Sequence, residues 1–299
     1  MKNSITLLFF ACMAQISSYA QQQTGHIIAD GTSRQFETYV PAANNANQKL
    51  PVVISLHGRF GTGKQMMSFA DFRPIADREK FIIVCPDGID RSWNGGGPTP
   101  ANRKGINDVK FIGELITYII NTYNGDPKRV YVTGMSNGGF MSSRLACEMG
   151  NRIAAIAVVG ASMITRMDYH PNRSMPVMYI QGTDDPLVPY NGGRTKGATG
   201  YAYSHNEVLN FWVAEDKCNT TPLITNLTDN AGDGTSIIKE EYINKAMGIK
   251  VIGYTITNGG HTWPGGTQYL PKGMIGKVSH NMNACEVIWD FFKGYRVVD

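Results

Sequence analysis

Ser136 stands at the centre of Gly134-Met135-Ser136-Asn137-Gly138, where the β-branched run Arg129-Val130-Tyr131-Val132-Thr133 gives way to a helix-compatible stretch ending near Gly150. A strand that turns directly into a helix forces its turn residue into strained backbone geometry, and only small neighbours let the chain pass that close to itself. The hydroxyl is then presented to solvent, with the positive end of the following helix aimed at the same spot. A serine hydroxyl is a poor nucleophile near neutral pH, so it needs a histidine to take its proton and an acid to hold that histidine. Both occur downstream, acid before base. The apolar run Pro176-Val177-Met178-Tyr179-Ile180 leads into Gln181-Gly182-Thr183-Asp184-Asp185-Pro186, and Val251-Ile252-Gly253-Tyr254-Thr255-Ile256 leads into Asn258-Gly259-Gly260-His261-Thr262-Trp263. Ser136, Asp185 and His261 are therefore the candidate nucleophile, acid and base of an acyl transfer. Asp184 competes with its neighbour for the acid role. Asp185 is favoured by its spacing from Gly182 and by Pro186, which stiffens the turn behind it, so that Asp184 reads as a solvated turn residue. Asp168 is a weaker candidate.

Acyl transfer also needs donors for the developing oxyanion. The apolar strand Leu50-Pro51-Val52-Val53-Ile54-Ser55-Leu56 is followed by His57-Gly58-Arg59-Phe60-Gly61, and a loop in that position supplies a backbone N–H. We assign it to Arg59, with Phe60 as the alternative; its partner is the N–H of Asn137. His57 reads as a loop residue, not a second base. The same segment, Gly58 to Lys64, matches the spacing of a phosphate-binding loop, but Gln65 stands where a magnesium-binding hydroxyl belongs, which argues against nucleotide binding.

These residues must be held by a scaffold, and the pattern supplies one. Strands near 36–40, 51–57, 81–85, 129–134, 154–159, 176–181 and 250–256 alternate with helical segments such as 107–123. This predicts an α/β class and a mostly parallel central sheet with helices on both faces. Residues 237–242 and 250–254 pair as a late hairpin beside the histidine strand, and a helix over 284–292 closes the domain. Residues 1–20 carry Lys2, an apolar stretch from Ile5 to Ala14 and Ser18-Tyr19-Ala20, the arrangement of a secretory signal peptide. Cys12 opens a lipoprotein reading, which Phe9-Phe10-Ala11 fits poorly. Residues 21–299 suit one domain, with an asparagine-rich surface turn around 43–48 and no expected membrane span.

A net charge of +4 from 28 basic and 24 acidic residues, scattered along the chain, speaks against nucleic acid. The six histidines are well separated and no metal-binding spacing appears, so neither metal nor cofactor is expected. Of the five cysteines, Cys85 and Cys147 read as buried thiols, whereas an exported protein could join Cys218 to Cys285.

Leu56-His57-Gly58, Gly134-Met135-Ser136-Asn137-Gly138-Gly139, the segment 182–190 and Gly259-Gly260-His261-Thr262-Trp263-Pro264-Gly265 resemble the esterase family of polyhydroxybutyrate depolymerases and feruloyl esterases. The resemblance runs over nearly the whole chain after residue 20, and its most specific part is the histidine loop. It implies an α/β-hydrolase fold with Ser136, Asp185 and His261 as triad. It also implies a secreted serine esterase without cofactor, acting on feruloyl or acetyl esters of plant cell-wall polysaccharide or, next, on polyhydroxyalkanoates. Gln181 departs from the histidine that begins the acid loop in many relatives. Trp93 and Trp263, flanking the expected site, are the candidate substrate-binding rings. The contrasting class is a hydrolase-like binding module without catalysis, against which the survival of all three triad residue types argues.

Overall fold

The computed structural model describes residues 20–42, 48–196 and 200–298. The expected leader with Cys12 and the asparagine-rich turn fall, apart from residues 20 and 48, outside these. Among the described residues twelve strands are formed: β1 (Gln21–Ala29), β2 (Thr32–Val40), β3 (Leu50–Leu56), β4 (Ile82–Pro86), β5 (Gly125–Met135), β6 (Ala155–Val159), β7 (Val177–Gly182), β8 (Gly193–Arg194), β9 (Tyr201–Ala202), β10 (Leu223–Asn226), β11 (Ser236–Asn244) and β12 (Ile249–Thr257). β8 and β9 pair with each other; the other ten make one sheet in the order β1-β2-β4-β3-β5-β6-β7-β12-β11-β10. From β4 to β12 neighbouring strands run parallel, and the sheet is finished at each end by antiparallel strands. β3, β6 and β7 are continuous apolar runs buried along their whole length, as strands covered on both faces must be.

The two-residue period sorts the core. Val52, Ile54 and Leu56 of β3 join one apolar cluster, and Val53 between them joins the other. The first cluster is completed by α4 (Asp108–Tyr123), α5 (Asn137–Glu148) and α6 (His205–Glu215). The second is completed by α1 (Gly63–Phe69), α2 (Arg73–Glu79) and α8 (Ala284–Phe292); α3 (Pro100–Arg103) and α7 (Lys272–Ile275) are single turns in loops. The hairpin expected late in the chain is β11 with β12, paired from Ser236 opposite Thr257 to Asn244 opposite Ile249. The bridge that Cys218 and Cys285 could have formed is not made. Cys218 belongs to the first cluster and Cys285 to the second, so the sheet lies between them, and both are free buried thiols. Among the described residues no helix is long and apolar enough to cross a membrane.

Because β3, β5, β7 and β12 are parallel, their carboxyl ends open at one edge of the sheet, where α/β folds hold their ligands. The loops leaving those four ends carry Arg59, Ser136, Asp185 and His261 respectively.

Candidate active site

Ser136 closes β5 with φ 55° and ψ −120°, a conformation that non-glycine residues avoid. Its N–H donates to the Val159 carbonyl at 3.0 Å, which ties the turn to the end of β6. The flanking glycines are required by contact. A Cβ on Gly134 would lie 2.5 Å from the Gly138 carbonyl carbon, and one on Gly138 would lie 2.2 Å from the Leu56 oxygen. The first helical bond of α5 runs from the Phe140 N–H to the Ser136 carbonyl at 3.0 Å, so the N–H of Asn137 has no helical partner.

Of the two adjacent aspartates, the structure brings Asp185 to the histidine. Asp185 Oδ2 lies 2.8 Å from His261 Nδ1, and the two side chains are 0% and 3% exposed. Its other oxygen, Oδ1, accepts the Leu187 and Val188 N–H groups at 2.8 Å each. Asp184 is exposed and accepts only the Thr183 hydroxyl, at 3.1 Å, with its side chain; its backbone N–H donates to Gly259, which joins acid loop to base loop. Asp168 sits at the surface against His170. The base loop is held by the His261 N–H on the Ile275 carbonyl at 2.6 Å. With Nδ1–H committed to Asp185, Nε2 of His261 is left as the acceptor. The pair lies over Gly160, where a Cβ would be 3.3 Å from His261 Nδ1 and 3.8 Å from Asp185 Oδ2. Gly160 follows Val159, which receives the Ser136 N–H, so the acid–base pair and the backbone of Ser136 both lie at the end of β6.

The oxyanion loop resolves its own ambiguity. Phe60 N–H donates to the Arg91 carbonyl at 2.9 Å, whereas the N–H of Arg59 has no partner among the described residues. Gly58 brings this loop against the elbow, since a Cβ there would stand 3.5 Å from Ser136 Cβ. The free N–H groups of Arg59 and Asn137 therefore belong to the two segments that flank Ser136. His57 is neutral, because burial holds its pKa below the ordinary imidazole value; Nδ1–H donates to the Gly58 carbonyl at 2.7 Å and Nε2 accepts the Gly88 N–H at 3.0 Å. In the segment that mimics a phosphate loop, the Gly63 N–H is taken by the Asp87 carboxylate, which leaves no cradle for an anion. Among the described residues there is no cluster of side chains that could hold a metal ion.

The two tryptophans are not where a substrate could reach them. Trp93 is 0% exposed and stacks between His57 and Phe111; Trp263 is 1% exposed and packs against Phe69 and Phe72. Each indole is held inward because its neighbours are apolar rings or buried loop backbone. Exposed apolar side chains lie instead on the loops of the candidate oxyanion donor and the candidate base: Phe60, next to Arg59, and Tyr269, Leu270 and Met274 beyond His261. Tyr269 donates its hydroxyl to the His261 carbonyl at 3.1 Å. Sequence reasoning missed these four, because isolated apolar residues in glycine-rich loops carry no periodicity.

The model of the dienelactone hydrolase family matches residues 36–202, a stretch containing Ser136 and Asp185 and ending before His261. The chain is 26% identical over 280 residues to the protein named "Putative esterase NocK" of Nocardia uniformis subsp. tsuyamanensis, covering 90% of this chain and 81% of that one. It is 28% identical over 232 residues to feruloyl esterase B of Piromyces equi, and 29% identical over 181 residues to the bifunctional acetylxylan esterase/xylanase XynS20E of Neocallimastix patriciarum. These matches cover 74% and 58% of this chain but span only 41% and 24% of those two proteins. In solved structures, the acetyl xylan esterase of Aspergillus awamori superposes with a TM-score of 0.57 at 17% identity, over 80% of this chain and 94% of that one, which speaks for a shared fold.

Proposed function

The chain belongs to the dienelactone hydrolase family and is an ester hydrolase, and from that premise we propose that residues 21–299 form one serine esterase domain working through an acyl-enzyme on Ser136. His261 Nε2 takes the hydroxyl proton as Oγ attacks the ester carbonyl, and the N–H groups of Arg59 and Asn137 receive the negative charge. Asp185 keeps the imidazole in the tautomer the step requires and offsets the imidazolium. Collapse of the tetrahedral intermediate breaks the ester C–O bond, with His261 returning the proton to the leaving alcohol. Water activated by the same imidazole then cleaves the acyl-enzyme and regenerates Ser136. The observation that carries this reading is the buried 2.8 Å contact between Asp185 and His261 over the strand end that also holds Ser136.

Feruloyl or acetyl esters of plant cell-wall polysaccharide are the proposed substrates. The named activities of the fungal relatives support this class, and the half-exposed rings of Phe60 and Tyr269 offer flat apolar surface beside the oxyanion and base loops. Export follows from reading residues 1–20 as a leader, and N-terminal sequencing of exported protein tests it. Turnover of p-nitrophenyl acetate, with a burst equal to one acyl group per chain, is the expected signature of the mechanism. Turnover that persists unchanged in Ser136→Ala sinks it. Rates on methyl ferulate, acetylated xylan and a polyhydroxybutyrate film, compared as kcat/KM, decide the substrate class.

A further inference from the structure

We propose that Trp93 is the positioning residue that locks the two oxyanion donors into one rigid unit; the inference rests on the esterase reading above. Arg59 and Asn137 lie in segments that are distant in sequence, and each donor is a backbone N–H whose direction is fixed only by what holds its segment. Trp93 holds both. Its indole Nε1–H donates to the His57 carbonyl at 3.0 Å, two residues before Arg59. Its backbone N–H donates to Asn137 Oδ1 at 2.6 Å, and its carbonyl accepts Asn137 Nδ2–H at 3.0 Å, so the side-chain amide is clasped at both ends. All of these groups are buried, with Trp93 0% and Asn137 1% exposed. The clasp is itself anchored: the Trp93 carbonyl also accepts the Thr99 hydroxyl at 2.8 Å, and the next residue, Asn94, donates its N–H to Asp108, which is paired with Arg34 at 2.8 Å in the interior. The indole rests on the His57 ring, centroids 5.0 Å apart. A buried residue of the loop after β4 thereby sets the spacing between two donors that must reach one oxygen.

Oxyanion stabilisation acts in the transition state, so loosening this clasp lowers kcat and leaves KM alone. Trp93→Phe keeps the packing ring and deletes only the bond to His57. It is expected to lower kcat about tenfold to a hundredfold, short of the roughly hundred- to thousandfold of a deleted donor. KM for p-nitrophenyl acetate should stay within about twofold, and the inhibition constant of an aryl boronate, whose adduct places oxygen where the oxyanion forms, should rise by the same factor as kcat falls. Asn137→Ala breaks the other half of the clasp without removing its own N–H. It should give the same split, and the double variant should lose less than the product of the singles. All rates are taken per titrated active site. Unchanged kcat and boronate affinity in folded Trp93→Phe overturn the proposal, as does a loss that vanishes after titration. Should Trp93→Phe not fold, Asn137→Ala decides by the same readouts. Wild-type protein without Ser136-dependent turnover would instead sink the esterase reading.

Discussion

Asp185 divides its carboxylate, giving Oδ2 to His261 Nδ1 at 2.8 Å and Oδ1 to the backbone of Leu187 and Val188. The acid is thus oriented by its own loop before it orients the base. Gln181 adds a further tie, donating Nε2–H to the Val188 carbonyl at 3.1 Å.

Asp185→Asn leaves the shape of this arrangement intact but offers the wrong partner to Nδ1–H, and kcat should fall about ten-thousand-fold. Ser136→Ala and His261→Ala should cost on the order of a million-fold. Asp184→Asn, altering an exposed side chain, should stay within about twofold. Steady-state kinetics on p-nitrophenyl acetate checks all four, and equal losses at 184 and 185 would reject the assignment of the acid.

The elbow gives a stability prediction. An alanine at 138 would drive its Cβ to 2.2 Å from the Leu56 carbonyl oxygen, in a strand buried on both faces that cannot retreat. Gly138→Ala should therefore cost about 3 kcal/mol, at the upper end of overpacking, and lower the melting temperature by roughly 5–10 °C. A variant that melts like the wild type would show that the turn is looser than drawn.

Trp263 and Tyr269 separate packing from binding. Trp263→Ala removes a buried ring and should cost about 3–5 kcal/mol while leaving the KM of the folded fraction unchanged. Tyr269→Ala removes a ring that is 40% exposed and frees the His261 carbonyl it binds, so it should raise KM for methyl ferulate about two- to tenfold more than KM for p-nitrophenyl acetate, any loss of kcat being common to both esters. Thermal melts and kinetics on the two esters tell the cases apart.

The candidate site was legible in the sequence because the chemistry it would perform leaves local marks: small residues around a strained serine, an acid after a buried strand, a histidine in a glycine-rich loop. The parallel strands were legible because burial on both faces demands unbroken apolar runs. β1 was not, since Gln21-Gln22-Gln23-Thr24-Gly25 has no apolar face and holds its place through ladder bonds to β2 and side-chain bonds of Gln22 to Arg73 and Gln23 to Tyr123. Nor were the fates of Trp93 and Cys285. The partner that holds the Trp93 indole inward, the His57 carbonyl, lies 36 positions away, and which face of the sheet receives Cys285 depends on where α8 docks.

Asp216 links the scaffold to pH. It is buried at the end of α6, where Oδ1 accepts the Met175 N–H at 2.7 Å just ahead of β7 and Oδ2 has no partner. Burial pushes its pKa from the ordinary 3.8 up to about 7, the Met175 N–H and Arg173 opposing only part of the rise. Between about pH 4 and 7 the unfolded chain has lost this proton while the folded chain keeps it, so stability falls as pH rises through that window. His205 works the other way. Burial lowers its pKa to about 4, and between pH 6.5 and 4 the unfolded chain holds the extra proton, so stability rises with pH there. The two trends partly cancel in the wild type, and the difference between Asp216→Asn and wild type isolates the carboxyl. That difference should be near zero at pH 4, grow in favour of the variant to pH 7, and level off above it, reaching on the order of 3 kcal/mol. Denaturant unfolding at pH 4, 5.5, 7 and 8 measures it, and a pH-independent difference would mean that Asp216 is ionised in the folded protein throughout.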